Sequence, residues 1–280
     1  MTMCLAARVI HQFSTDSDCV LGVTSIDGEL FVLLKRDDNQ VAVYSINDYQ
    51  LLRHLHLPGF TGLCASGITA CAKHKCLYAS DYFDRCIHRY DLSIKIGSVM
   101  KRITSRHISK WPVPGQPNGL SVIPGTCNLL VACHYPTSKL VELRADSGQL
   151  VREIALQSDI KSLHHAVQLT TGQYVICHGT CSTYRVCMVD IDGRVTHSYG
   201  GQRGSDVGQL NYPRHLAVAE NSQFIAADRG NNRIVLLSPT LEFVRHISER
   251  VSGPERLYFH ETTRRLFVGL WGGGVVVVLL

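Results

Sequence analysis

The feature that most constrains this chain is a short apolar segment that recurs six times along its 280 residues. The six copies begin at Leu21, Ser66, Asn118, His164, Arg214 and Glu255. They are spaced about 41–52 residues apart, the range of four-stranded propeller blades. Each is followed by a second apolar run, at residues 30–34, 77–79, 129–133, 174–177, 224–227 and 266–270. This repetition predicts an all-β fold, a six-bladed β-propeller.

The hydrophobic pattern agrees with that fold. Strands covered on both faces by neighbouring blades read as continuous apolar runs, whereas strands that meet solvent alternate. The alternating type is found at residues 52–57, 150–154 and 243–247, each of which mixes Arg or His into an apolar strand. We therefore expect the continuous runs near the axis and the alternating segments at the outside.

The last blade lacks an outer strand, because the chain ends after the apolar run 275–280. An unassigned segment of the outer type lies at residues 6–13. Pairing the two would close the ring and remove open sheet edges. The prediction is a single propeller over residues 1–280, with residues 1–14 forming the closing strand of the last blade.

Residues 208–247 contain one complete blade, with the wording P-x-x-L-A-V…I-A-A-D-x-x-N-N-R-I-V-x-x-S from Pro213 onward. This pattern resembles the NHL repeat, a blade type of six-bladed propellers. NHL propellers often form the C-terminal part of tripartite-motif (TRIM) ubiquitin ligases. The resemblance implies a module that binds protein or RNA through one face.

Cysteine usage bears on chemistry and location. The chain has 11 cysteines, which we interpret as buried free thiols of a cytoplasmic protein. It has no C-x-x-C pair, so the zinc-binding RING and B-box domains of TRIM ligases are not part of it. No apolar run approaches the roughly 18 residues that span a membrane. We expect a monomeric propeller with no cofactor, no metal site and no membrane partner.

The starts of the six innermost strands should form a ring at the mouth of the axial channel: Leu21, Ser66, Asn118, His164, Arg214 and Glu255. Propeller lyases similar to NHL proteins hold zinc with three histidines at these positions. Here His164 keeps the ligand, while Asn118 and Arg214 replace the other two. Arg214 places a fixed positive charge where a cation would sit, which also argues against the calcium set of gluconolactonase-like propellers.

We interpret the residues that follow the ring members, and two of the turns, as structural. His165 and His215 should point between blades because successive strand residues face opposite sides. The turn after Asp228, which ends at Arg233, and the similar turn from Asp81 to Cys86 are interpreted as architecture. In such turns Asp accepts backbone N–H groups, and Arg233 can return to the carboxylate.

The loops that should open on the mouth side combine aromatic and basic residues. They are Tyr82, Phe83, Arg85, Trp111, Tyr135, Lys139, Arg203, Tyr212, Arg229 and Trp271. This composition suits both stacking on RNA bases and protein-binding hot spots. The sequence thus predicts a non-catalytic recognition module that binds a protein or RNA partner through the mouth ring and these loops. The alternative is a propeller enzyme, a lyase or lactonase-type hydrolase, with a site at the channel mouth.

Overall fold

A computed structural model of the chain describes residues 7–36, 40–60, 65–92, 106–248 and 251–280, and for residues 106–108 the backbone alone. These ranges contain 24 strands. In chain order the strands are β1 (Arg8–Phe13), β2 (Val20–Ile26), β3 (Glu29–Leu34), β4 (Gln40–Ser45), β5 (Leu51–His56), β6 (Ala65–Cys71), β7 (Cys76–Asp81), β8 (Cys86–Asp91), β9 (Arg106–Pro112), β10 (Pro117–Val122), β11 (Leu129–Cys133), β12 (Lys139–Leu143), β13 (Leu150–Ala155), β14 (Leu163–Gln168), β15 (Tyr174–Thr180), β16 (Thr183–Val189), β17 (Val195–Gly200), β18 (Pro213–Val218), β19 (Phe224–Asp228), β20 (Arg233–Leu237), β21 (Phe243–Ser248), β22 (Pro254–His260), β23 (Arg265–Leu270) and β24 (Val275–Leu279).

The strands form six four-stranded antiparallel sheets, which confirms the predicted six-bladed β-propeller. Blades one to five each use four consecutive strands, beginning with β2, β6, β10, β14 and β18. The first strands of neighbouring blades contact each other around the ring, and β22 of blade six meets β2 of blade one. Helical structure in the described ranges consists of three single 3-10 turns.

Blade six is closed by both ends of the chain, as predicted. Its strand order is β1-β24-β23-β22, and β1 pairs antiparallel with β24, with Phe13 opposite Val275. Residues 1–6 of the predicted closing segment lie outside the described residues. Since β1 occupies the outer edge of the last sheet, the ring is joined through backbone hydrogen bonds between the two ends.

Burial follows the predicted distinction between inner and outer strands. Strands β7, β11 and β19 are buried along their whole length, while β5 and β13 are buried at one position and exposed at most others. The apolar side chains form six clusters, and each cluster joins residues from two neighbouring blades. The hydrophobic core is therefore distributed between blades, which is why the inner strands need apolar residues on both faces.

The antiparallel pairing fixes which loops share a face. Ala65 lies opposite Asp81, and Pro213 lies opposite Asp228. The start of a first strand and the end of a second strand therefore meet at the same end of each blade. We call this end the mouth face; it carries the turns between second and third strands and the connections between blades.

No helix among the described residues is long and apolar enough to cross a membrane. The nine cysteines within the described ranges are all free thiols, and seven of them are buried.

Candidate functional site

The six predicted ring positions come together at the mouth, and most are linked to a neighbouring blade. Ser66 donates its hydroxyl hydrogen to the Pro117 carbonyl at 2.7 Å. Asn118 donates from Nδ2 to the Leu163 carbonyl at 3.1 Å and lies 3.3 Å from Nδ1 of His164. These side chains are thus committed to joining one inner strand to the next.

Arg214 and Glu255 form the charged part of the ring. Nε of Arg214 donates to Oε1 of Glu255 at 2.8 Å, and its Nη1 lies 3.1 Å from Nδ1 of His164. Glu255 is fully buried. The structure thus joins these two predicted ring members directly.

Arg256 closes the channel at the mouth. It is buried, and its guanidinium donates to Oε1 of Glu255, to the Leu21 carbonyl and to the Ser66 carbonyl, each at 2.8 Å. Those carbonyls belong to blades one and two, so the side chain reaches across the ring from blade six. Arg256 follows the ring member Glu255 as His165 and His215 follow theirs, and the sequence pattern gave no indication of this crossing.

His165 and His215 do reach towards the neighbouring blade. Nδ1 of His165 accepts the N–H of Leu216, and Nδ1 of His215 accepts the N–H of Leu257, both at 3.4 Å. Their rings stack with centroids 3.6 Å apart. Both also line an axial cavity of about 390 Å³ formed by the later parts of the first strands. They are thus interblade contacts and cavity residues at once.

His164 is held as a neutral imidazole. Burial, followed by the charge of Arg214, lowers the pKa of His164 well below its ordinary value. Because Asn118 and Arg214 are both donors toward Nδ1, the ring proton belongs on Nε2. Nε2 is buried and has no hydrogen-bond partner among the described residues.

The mouth carries a residual positive charge. Burial alone would raise the pKa of Glu255, but the guanidiniums of Arg256, Arg214 and Arg229 outweigh it and the pKa is lowered. Nε of Arg229 lies 3.2 Å from Oε2 of Glu255. With His164 neutral, three guanidiniums face one carboxylate, and the difference is two positive charges. Arg214 and Arg229 remain partly accessible, with 14% and 21% of their side chains exposed.

Aromatic rings frame these two arginines. The Tyr212 ring lies 5.1 Å from the guanidinium carbon of Arg214 and 5.4 Å from that of Arg229. Arg229 also lies 3.9 Å from the ring centroid of Trp271, whose surface is 43% exposed. Such cation–π contacts hold a guanidinium in place while leaving its edge available for hydrogen bonds.

A second aromatic group lies on the mouth face at blades two and three. Tyr82 stacks on His134 with centroids 5.3 Å apart and approaches its Nε2 at 3.2 Å. Phe83 and Tyr135, in the same two turns, are 67% and 54% exposed. The predicted residues Arg85 and Arg203 are exposed on this face as well.

One predicted loop residue is misplaced. Trp111 lies within β9 and is buried against Tyr78, with ring centroids 6.0 Å apart. Its indole lies against Gly148, where a Cβ atom would come within 2.1 Å of the ring. The prediction of Trp111 in an exposed loop is therefore wrong, because the absence of a side chain at Gly148 makes room for the indole in the interior.

Several cations of the mouth face are ion-paired. The predicted binding residue Lys139 bonds Glu153 at 2.8 Å, and Lys110 bonds Asp84 at 2.6 Å. Lys139 and Tyr135 border a groove of about 800 Å³ between the turn of blade three and the connection to blade four. The groove is lined by apolar, hydroxyl and charged side chains, with Glu153 and Lys161 among the charged ones.

A cluster in blade two was not recognised as a site from the sequence. Asp81, Cys86 and His88 are buried, and each offers one metal-ligating atom within 4.8 Å of the others. The sequence signal was present. Cys86 and His88 lie two residues apart on one strand and therefore on the same face, and Asp81 ends the strand beside it. The similarity of this turn to the one after Asp228 had directed attention to its architecture alone.

Comparison with known proteins supports the fold. No family model matches the chain, and no curated protein matches it. Among solved structures, the chain is similar to a streptogramin B lyase, with 10% identity, 99% of both chains covered and a TM-score of 0.65. It is also similar to hydrazine synthase from Kuenenia stuttgartiensis, with 14% identity, 92% of this chain and 83% of that chain covered, and a TM-score of 0.64. At these identities the likeness concerns the propeller fold.

Proposed function

We propose that this propeller is a non-catalytic recognition module whose mouth face binds a protein partner that presents an acidic side chain. The observation that carries the proposal is the pairing of a cationic mouth with exposed aromatic rings on the same face. Phe83, Tyr135 and Trp271 are the largest exposed aromatics of the described residues, and all three lie in turns that open on that face. Aromatic and Arg side chains dominate the binding energy of protein interfaces.

The charge at the mouth supports an acidic contact. Arg214 and Arg229 share Glu255 with the buried Arg256, so the carboxylate does not neutralise all three. An incoming carboxylate would receive charge-assisted hydrogen bonds from the accessible edges of Arg214 and Arg229.

The pairing of other cations favours a protein over RNA. Backbone recognition of RNA uses a groove or stripe of cations that contact successive phosphates. Around this mouth Lys139, Lys110 and Arg185 are each bonded to a carboxylate, the last to Asp159 at 2.5 Å. Phosphates would have to displace these carboxylates, whereas a protein partner can contact the aromatic side chains and leave the ion pairs in place.

The finer assignments belong to the same proposal. It takes the blades to be of the NHL type, related to those of tripartite-motif proteins, and the protein to be a cytoplasmic monomer. Each of these assignments is consistent with a recognition module. The enzymatic alternative would need a free acid or base at the mouth. Glu255 is engaged by arginines and Nδ1 of His164 is engaged by Asn118 and Arg214, which favours recognition over acid–base chemistry.

The test is a comparative capture from an extract of the source cells, with and without nuclease. The variant Phe83→Ala/Tyr135→Ala/Trp271→Ala removes the exposed rings, and Ile191→Ala is the matched control, since Ile191 is an exposed apolar residue in the turn between β16 and β17 at the opposite end of its blade. We expect a set of proteins retained by the parent and by the control and lost from the triple variant, with all three proteins melting at similar temperatures.

Three results would contradict the proposal. Retention of the same proteins by the triple variant would remove the mouth face from recognition. Loss of all captured material on nuclease treatment would identify RNA as the ligand. Conversion of a substrate by the purified protein would instead support the enzymatic alternative.

A further inference from the structure

Blade two contains a buried set of side chains that the mouth-face function does not use. Asp81 ends β7, and Cys86 and His88 lie two residues apart on β8. All three are buried. Oδ2 of Asp81 has no hydrogen-bond partner among the described residues. A buried carboxylate oxygen without a hydrogen bond is costly, and a positive charge beside it would offset that cost.

Blade five shows how the same turn is neutralised elsewhere. Asp228 and Arg233 occupy the register positions of Asp81 and Cys86, since each pair lies directly opposite across its second and third strands. Oδ2 of Asp228 accepts Nε of Arg233 at 2.8 Å and Nδ2 of Asn231 at 2.7 Å. In blade five the cation next to the aspartate is thus a guanidinium supplied by the chain.

In blade two that guanidinium is replaced by a thiol. The Cys86 thiol cannot carry a positive charge, and the neighbouring side chain on the same face is the imidazole of His88. Sγ of Cys86 lies 3.4 Å from Nε2 of His88, and Nε2 lies 3.5 Å from Oδ2 of Asp81. A tetrahedral ion with ligand bonds of about 2.0–2.3 Å has ligands roughly 3.3–3.8 Å apart. The two measured distances fall in that interval.

From this geometry we propose that Asp81, Cys86 and His88 bind a zinc ion in blade two. Thiolate, imidazole and carboxylate are the three ligand types that zinc takes in proteins. One thiolate and one carboxylate together balance the two charges of the ion, which leaves the buried site neutral. Within the described ranges this is the one group of three such residues with this spacing.

The carboxylate is oriented for this role by the turn that follows it. Oδ1 of Asp81 accepts the N–H groups of Phe83 at 3.1 Å and Asp84 at 2.9 Å, so Oδ2 is the oxygen that faces Cys86 and His88. Metal-ligating carboxylates are commonly fixed by such outer hydrogen bonds. The ion would therefore stabilise the turn that displays Tyr82 and Phe83 on the mouth face.

The experiment measures zinc in the purified chain after loading with zinc and exhaustive dialysis. We expect about one zinc per chain, falling at least tenfold in Cys86→Ser and in Asp81→Asn. The matched control is Cys187→Ser, because Sγ of Cys187 lies 3.5 Å from Nε2 of His178 in a buried pair outside the candidate group. The control should keep its zinc.

The melting temperature provides a second test in case a variant folds poorly. A chelator should lower the melting temperature of the parent and of Cys187→Ser and leave that of Asp81→Asn unchanged, because an ion that binds the folded state stabilises it. Parent protein that holds no zinc after loading would overturn the proposal and leave a hydrogen-bonded triad. Equal zinc in the parent and the Cys86 and Asp81 variants would overturn it too. Neither result depends on whether a partner binds the mouth face.

Discussion

The two halves of the axial ring are packed differently: one half has glycines where the other has large polar side chains. At the third position of the innermost strand, blades one to three carry glycine and blades four to six carry large polar side chains. The residues are Gly22, Gly67 and Gly119 on one side and His165, His215 and Arg256 on the other. A repeat fold built from similar blades therefore has a strongly asymmetric axis.

The two halves depend on each other. Arg256 donates to the carbonyls of Leu21 and Ser66, which immediately precede Gly22 and Gly67. A Cβ atom on Gly22 would come within 2.4 Å of Ile68, so at this position the inner strands of blades one and two lie too close for a side chain. The glycine half thus supplies backbone acceptors, and the opposite half supplies the donor that reaches them.

The largest effect is expected where the charged half is disrupted. In Glu255→Gln the carboxylate shared by Arg214, Arg229 and Arg256 is lost while its shape is kept. Leaving buried guanidiniums without their counter-charge should lower the free energy of unfolding by about 3–5 kcal/mol. Urea unfolding provides the measurement.

Glu153→Gln is the control for that loss. It removes the carboxylate from the accessible pair with Lys139, and we expect a cost below about 1 kcal/mol. Equal losses in the two variants would show that the buried cluster has no special role in stability.

The glycine half provides a smaller, internally matched prediction. In Gly119→Ala the new methyl group would lie 2.4 Å from the His164 carbonyl oxygen and 2.8 Å from Cα of His165, both backbone atoms. Overpacking of this kind costs about 1–3 kcal/mol. In Gly67→Ala the nearest atom is Oγ of Ser80 at 3.4 Å, an ordinary contact, so the loss should be under about 1 kcal/mol. Thermal melts of the two variants would decide, and a more stable Gly119→Ala would refute the packing argument.

The repeat explains why the fold could be predicted from sequence. The apolar run predicted at residues 129–133 coincides with β11, and β1 was assigned to the last blade, because hydrophobic period and spacing recur in every unit. The ring members could be listed for the same reason, since they occupy equivalent positions.

What the repeat could not indicate is where blades differ. Arg256 occupies the position of His165 and His215 but is long enough to reach the Ser66 carbonyl two blades away, and a sequence register carries no information about that distance. Trp111 was misassigned because its burial depends on Gly148, which is remote in sequence. The Asp81 cluster was missed because blades two and five share a similar turn. The proposed zinc site depends on the one position of that turn where Cys86 replaces Arg233.

In the proposed function, the arginines of the charged half serve a single acidic contact and the exposed aromatics carry the rest of recognition. The most direct test is the salt dependence of affinity for the protein captured by the mouth face, measured for the parent and for Arg214→Gln. We predict a shallow dependence for the parent, within about tenfold between 50 and 200 mM salt, and weaker binding with a still shallower slope for the variant. A fall of about 10³-fold or more over that range would show phosphate-like binding and contradict the account.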